Sequence, residues 1–145
     1  MFWEKDIMEI KQMITIEDVE KMRAEAERLQ LSGRELLNDS ELVISECNGT
    51  GAKWMGFICG VIDAFNPAFT LPSWIHDLRY FNGGSDAQRK SADDEWLDNA
   101  LICVNDRYGW YNPYRYIERA KARRFYFALR TAGELAWNSA LAEAV

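Results

Sequence analysis

The stretch that decides the fold is residues 72–85, which read PSWIHDLRYFNGGS. Proline is accepted in the first turn of a helix, and paired glycines after Asn82 favour a left-handed helix end, so a helix of about three turns is predicted over 73–81. This helix carries His76, the only histidine of the chain, followed directly by Asp77. Neighbouring helical residues point in different directions, so one of these side chains can enter the core while the other meets a loop.

A single histidine excludes several classes of enzyme. HD-type phosphohydrolases, zinc hydrolases with paired histidines and HExxH metalloproteases all need more than one imidazole for their metal. A Ser-His-Asp hydrolase would need a presented nucleophile, and the chain contains no G-x-S-x-G sequence.

The next predicted helix places an acid on its apolar side. Asp93 shares that side with Trp96 and Leu97, at helical spacings of three and four residues. A carboxylate there is costly unless it is paired. We therefore expect a buried Asp93 that is hydrogen-bonded to His76, Tyr80 or both. The adjacent Asp94 lies one position round the helix and can stay hydrated, and Asp77 is left to bind a cation.

The remaining segments predict further helices and little β structure. We expect a mainly α single domain of about five or six helices. Residues 1–40 form an N-terminal helical segment without an assignment, and residues 41–145 form the main helical domain, packed with it as one compact unit. The predicted elements are a capped amphipathic helix from Thr15, a short helix over 32–37, a strand or extended lead over 41–45, a tight loop over 47–51, a buried helix or pocket wall over 53–65, a helix from Ser85 or Asp86 to about Val104, and a helical third from Pro113 onward with a kink or close-packing point at Gly133.

Composition narrows the setting of the protein. The chain has 145 residues, of which 48% are hydrophobic, enough for one sizeable core. Its net charge of -6 argues against sequence-specific binding of nucleic acid, because phosphate contacts need a basic face. The three cysteines are too few and too widely spaced for a disulfide framework, which favours a reducing compartment.

Two features bear on localisation. Residues 1–13 are interrupted by acids and lack the apolar stretch of a signal peptide. The longest apolar run, residues 54–62, is far shorter than the roughly 20 residues of a spanning helix. We expect a protein that is cytoplasmic on synthesis and has no transmembrane segment.

Three motifs in order resemble a known family. They are CNGTG at 47–51, HDLRY at 76–80 and the pair Ala92-Asp93 on the following helix. Together they resemble the phospholipase A2 superfamily, especially its short, disulfide-free members in parvovirus capsid proteins and in phage-encoded proteins. The resemblance covers residues 42–137. The arginine-rich, aromatic stretch 123–130 also resembles the ending of the phage versions.

The resemblance implies a carboxylic ester hydrolase. In that family the motif histidine is a general base, so His76 would activate the water that attacks the sn-2 ester of a glycerophospholipid. The aspartate of the second helix, here Asp93, orients the histidine, and the motif tyrosine, here Tyr80, supports that aspartate. The implied partner is a phospholipid membrane surface, which a virus or phage would breach or remodel with a virion-associated enzyme.

The resemblance also implies a calcium cofactor. Asp77 would supply a carboxylate ligand, and the loop would supply backbone carbonyls from Cys47, Gly49 and Gly51. The Gly49 N–H would help to stabilise the developing oxyanion. The chain departs from the family pattern in lacking the disulfides, in having Cys47 and Ala52 at the two ends of the loop, and in having no evident β-wing. Residues 1–40 have no counterpart.

Less specific interpretations stay open. His76 can be an ordinary satisfied core residue, and the chain can be a non-catalytic protein of the same fold that serves as a virion component or interaction module. His76 and the three cysteines could form a zinc site, although no two of them are closely spaced. The aromatic residues between 54 and 74 are typical of a core or of an acyl-chain channel. The arginine cluster at 123–130 indicates a solvated face, or binding to lipid head groups or a nucleic acid.

Overall fold

The computed structural model describes residues 14–47 and 66–144. These residues form five α-helices and two 3-10 helices, and no strand occurs among them. The mainly α fold is therefore confirmed for the described part of the chain. The elements in order are α1 (Ile16–Arg28), a 3-10 helix (Arg34–Asn38), α2 (Ser40–Ser45), a 3-10 helix (Pro67–Phe69), α3 (Thr70–Asn82), α4 (Asp86–Arg107) and α5 (Pro113–Ala144).

Local capping signals set most helix ends. Thr15 and Ser85 each form a capping box at the start of α1 and α4. Gly83 ends α3 with a positive φ of 65°, a conformation that favours glycine, so the predicted helix stop is confirmed. Helix α3 begins slightly earlier than predicted, at Thr70, because the 3-10 turn capped by Asn66 leads directly into it.

The prediction of a strand or extended lead over 41–45 is wrong. Those residues belong to α2, whose first turn is capped by Asp39, since the Asp39 carboxylate accepts a hydrogen bond from the Leu42 N–H at 3.2 Å. A local cap and the burial of Val43 thus outweigh the β-branched composition. The predicted segment 53–65 and residues 48–51 of the loop lie outside the described residues.

Helices α3, α4 and α5 run antiparallel in succession. Ser73 pairs with Trp96 and His76 pairs with Asp93, so residue numbers rise along α3 while they fall along α4. The same reversed order relates α4 to α5. The apolar residues between these helices form a C-terminal core cluster, which consists of Phe69, Tyr80, Ala92, Trp96, Ala100, Val104, Ala122, Leu129 and Trp137.

A second cluster joins the N-terminal helices to α3. This N-terminal core cluster consists of Val19, Ala26, Leu31, Leu37, Val43, Leu71, Trp74, Ile75, Leu78 and Cys103. Polar contacts reinforce the junction: the buried Asn99 amide accepts from the Ser32 N–H at 3.0 Å and donates to the Ser32 carbonyl at 2.9 Å. Residues 14–40 therefore share their core with α3 and α4. Among the described residues, no helix combines the length and the apolarity needed to cross a bilayer.

Candidate functional site

The predicted pairing of His76 with Asp93 is present between α3 and α4. The His76 Nε2 atom lies 2.8 Å from the Asp93 Oδ1 atom. Both side chains are buried, at 1% and 0% exposure respectively. The two residues meet because α3 and α4 are antiparallel and in register, with the Trp96 indole N–H donating to Ser73 Oγ one turn away. The hydrogen bond expected from the apolar position of Asp93 is confirmed.

Asp93 receives donors on both oxygens. The Tyr80 hydroxyl donates to Oδ1 at 2.7 Å, as expected, and Arg130 Nη1 of α5 donates to Oδ2 at 2.7 Å. Burial alone would raise the pKa of Asp93, but the hydrogen bonds from His76, Tyr80 and Arg130 outweigh burial and lower it below its usual value. Asp93 is therefore a carboxylate at neutral pH.

This charge state decides which ring nitrogen of His76 donates. An ionised carboxylate accepts hydrogen bonds and cannot donate one, so Nε2 carries a proton. In the neutral form of the ring, Nδ1 then has a free lone pair. It is buried and has no hydrogen-bond partner among the described residues. A buried polar atom without a partner is costly, so it needs an explanation, and a catalytic role is one.

Aromatic packing holds Tyr80 in place. Its ring lies 4.2 Å from the His76 ring and 5.0 Å from that of Trp137, the latter edge to face. Trp137 is itself anchored by a hydrogen bond from its indole N–H to the Gly84 carbonyl at 3.0 Å. Burial, together with the neighbouring Asp93 carboxylate, raises the pKa of Tyr80, so its hydroxyl stays protonated and keeps donating.

The contribution of α5 to the site was not predicted from the sequence. Arg130 belongs to the arginine cluster interpreted as a solvated face, and Arg123 and Arg124 are indeed exposed. Arg130 instead turns inward, with 27% of its side chain exposed, to reach Asp93. Helical spacing could have indicated this orientation. Arg130 is three residues before Gly133 and seven before Trp137, and both of these face the core.

A second cation from α4 lies next to the same carboxylate. The guanidinium of Arg89 is buried, and its Nη1 atom is 3.7 Å from Asp93 Oδ2. Asp94, expected to stay hydrated, is 42% exposed and forms surface contacts with Lys90 and with the Tyr126 hydroxyl. Of the two adjacent acids, only Asp93 belongs to the buried network.

The structure describes only part of the predicted calcium site. Asp77 is half-buried on α3, and Cys47 is half-buried just after α2. Gly49 and Gly51 lie outside the described residues, and within 14–47 and 66–144 no three His, Cys, Asp or Glu residues gather around a common metal position. A carboxylate with backbone carbonyls is an all-oxygen donor set, which suits a hard cation such as calcium.

Cys103 does not favour the zinc alternative. It is buried in the N-terminal core cluster. Burial raises the pKa of the Cys103 thiol to about 12, which disfavours the thiolate that zinc requires. Cys59 lies outside the described residues.

Comparison of the chain with protein-family profiles, curated proteins and solved structures gave no match. A function is therefore inferred from the residues and geometry described above.

Proposed function

We propose that this protein hydrolyses the sn-2 ester of glycerophospholipids, using a water molecule activated by His76. One observation carries the proposal: a buried imidazole is held through Nε2 by an ionised aspartate, while its Nδ1 lone pair is unpartnered among the described residues. A general base must be oriented and must keep one nitrogen available for the proton of the attacking water, and His76 is oriented by Asp93 while Nδ1 has no partner among the described residues. The reaction class, hydrolysis of a carboxylic ester, comes from the resemblance of the three ordered sequence motifs to the phospholipase A2 superfamily.

The side chains of the site would move one proton in each half of the reaction. His76 Nδ1 takes a proton from water as the oxygen attacks the ester carbonyl. The imidazolium that forms is stabilised by Asp93, which lies 2.8 Å from Nε2. The same nitrogen then returns the proton to the departing alcohol oxygen. Tyr80 and Arg130 take no part in proton transfer and hold the Asp93 carboxylate in position.

Calcium is part of the proposal. Asp77 and the backbone carbonyls of Cys47, Gly49 and Gly51 would hold it, and the Gly49 N–H would face the developing oxyanion. When bound, the ion polarises the ester carbonyl. The proposed partner is a phospholipid surface, and the proposed setting is a phage or virus whose protein is made in the cytoplasm and acts on a membrane.

A non-catalytic role is the second candidate. The observation that favours it is burial, because only 1% of His76 is exposed and an enzyme must admit water and an ester to this ring. On this alternative the network stabilises a helical virion or interaction protein.

Release of fatty acid from phospholipid vesicles tests the two candidates. The purified chain is assayed on zwitterionic and on anionic vesicles, with calcium or with a chelator. We expect calcium-dependent release that falls by about 10²–10⁴-fold in His76→Gln, the usual contribution of a general base.

Two adjacent acids on α4 provide a matched control. Asp93→Asn should lose activity to a similar extent, whereas Asp94→Asn, which changes the same charge at the surface, should keep it. Thermal melting of each variant separates loss of the site from loss of the fold. Folded protein with no release that depends on His76 and calcium, on either vesicle, would support the non-catalytic role.

A further inference from the structure

A surface outside the proposed site combines exposed aromatic and basic side chains. It extends over residues 107–130, the turn after α4 and the first half of α5, and is called here the aromatic-basic surface. These residues include seven basic side chains and one acidic side chain, a net charge of +6 in a chain whose net charge is -6. The one acid, Glu118, is buried and bonded to Asn66 and Lys121, so residues 107–130 expose no carboxylate of their own. The partly exposed Asp94 of α4 accepts from the Tyr126 hydroxyl.

The turn and the start of α5 carry several exposed aromatic side chains. Trp110 and Tyr111 are 75% and 77% exposed and pack edge to face at 6.0 Å. Tyr116 is tied to the turn by a hydrogen bond from its hydroxyl to the Trp110 carbonyl at 3.1 Å, and Tyr114 packs on Tyr108. The aromatic rings are thus held together by mutual contacts while most of their surface faces water.

Helix α5 continues this surface toward the site. Ile117, Arg124 and Phe127 are spaced by seven and three residues, so they lie on one side of the helix, and all three are exposed. Phe127 is 72% exposed. No ion pair joins Arg123 or Arg124 to another described residue. Phe127 is one turn before Arg130, which holds Asp93, so the surface ends next to the proposed site.

We propose that the aromatic-basic surface docks the protein on an anionic phospholipid bilayer. The choice of a lipid as the partner rests on the proposed function. The location of the docking site and its preference for negative charge rest on the residues of the surface itself. Exposed Trp and Tyr rings suit the boundary between head groups and acyl chains, and arginines attract anionic lipid. Single-stranded nucleic acid also binds to basic and aromatic side chains, and the oligouridine arm of the experiment distinguishes it from lipid.

Vesicle flotation tests the proposal independently of catalysis. The vesicles are made of ether-linked phosphatidylcholine, alone or with ether-linked phosphatidylglycerol, so that no ester can be hydrolysed. We expect binding only when the anionic lipid is present, and weaker binding as salt is raised.

Matched variants locate the binding surface. Arg124→Gln should weaken binding about fivefold, the usual effect of one basic residue near an anionic membrane. Lys21→Gln removes the same charge from the exposed side of α1 and should leave binding unchanged. Phe127→Ala should weaken binding about tenfold, whereas Phe81→Ala, at an exposed position on α3, should not.

Three results would overturn the docking surface. One is equal loss of binding in each variant and its matched control. Another is binding of a labelled oligouridine without binding of anionic vesicles. The third is a stable dimer in analytical ultracentrifugation that Phe127→Ala converts to monomer, which would show that a second copy covers this surface. Docking on ether lipid without hydrolysis of ester lipid would leave the surface standing and refute the proposed enzyme.

Discussion

Both oxygens of the Asp93 carboxylate accept hydrogen bonds from neighbouring side chains. One oxygen accepts from His76 and Tyr80, and the other accepts from Arg130. Each donor comes from a different turn or helix, so the position of the carboxylate is fixed from three directions. Because Asp93 orients His76, any change that loosens the carboxylate also changes where Nδ1 points.

Removal of Arg130 should therefore affect stability and activity together. Arg130→Gln is expected to lower the free energy of unfolding by about 1.5–3 kcal/mol, the usual value for a hydrogen bond to a charged group. The ester hydrolysis of the proposed function should fall as well, since Asp93 keeps only its other donors. Urea unfolding and the vesicle assay measure the two effects. Arg123→Gln, an exposed change in the same helix, should alter stability by less than about 0.5 kcal/mol.

The effect of Arg130→Gln should also depend on pH. The pKa of Asp93 is lowered in the folded state from an ordinary value of 3.8, so its ionisation contributes stability above that pH and loses it as pH falls. Without Arg130 the pKa is lowered less. The stability difference between the two proteins should then be full at neutral pH and shrink as pH falls through the lowered pKa of the folded state, which lies below 3.8. A difference that grows as pH falls would contradict this role of Arg130.

Helices α3 and α5 approach each other closely where Tyr80 meets Gly133. A Cβ atom on Gly133 would lie 2.6 Å from the Tyr80 hydroxyl oxygen, closer than real contacts allow. Glycine within a helix normally costs stability relative to alanine. Its presence here is explained by the hydroxyl that donates to Asp93 and needs that space.

Gly133→Ala should therefore destabilise the protein, against the helix propensities. We expect a loss of about 1–3 kcal/mol from overpacking. In a Tyr80→Phe background the hydroxyl is gone, and the same substitution should be neutral or stabilising by up to about 1 kcal/mol. A double-mutant cycle in urea measures the reversal of sign. Ala128→Gly, at an exposed position of α5, is the control that reports the local helix propensity. Equal effects of Gly133→Ala in the wild-type and Tyr80→Phe backgrounds would refute the contact between Gly133 and the Tyr80 hydroxyl.

The two core clusters make the described part of the chain one packed structure. The N-terminal cluster joins α1 and α2 to α3, and the C-terminal cluster joins α3 to α4 and α5. Helix α3 contributes to both, with Ile75 and Leu78 facing the first and Tyr80 facing the second. Loss of either cluster would expose one side of α3 and disturb His76.

We therefore expect a single cooperative unfolding transition. Leu37→Ala in the N-terminal cluster and Leu129→Ala in the C-terminal cluster should each lower its free energy by about 2–5 kcal/mol. Leu36→Ala, at a half-buried neighbouring position, should lower the free energy of unfolding by less than Leu37→Ala does. Tryptophan fluorescence and far-ultraviolet circular dichroism should report the same midpoint in each variant. Divergent midpoints in Leu37→Ala would show that residues 14–40 unfold separately.

The helices were largely predictable because their signals are local. The capping residue Ser85, the glycines that end α3 and the apolar spacing of α4 act within a few positions of the chain. The pairing of Asp93 with His76 was predictable for a related reason, since an acid on an apolar face must find a partner. Residues 41–45 were mispredicted because β-branched composition is a weaker determinant than a cap and tertiary burial.

Only the tertiary structure determines three contacts of α5. They are the hydrogen bond from Arg130 to Asp93, the approach of Gly133 to Tyr80 and the T-shaped packing of Trp137 on Tyr80. Each joins α5 to helices more than 30 positions away, and no periodicity within one helix specifies such a partner. Interactions between residues close in sequence determine where a helix begins, where it ends and which of its sides is apolar. The choice among several arginines for one buried carboxylate follows from how three helices pack, because only packing decides which guanidinium can reach it.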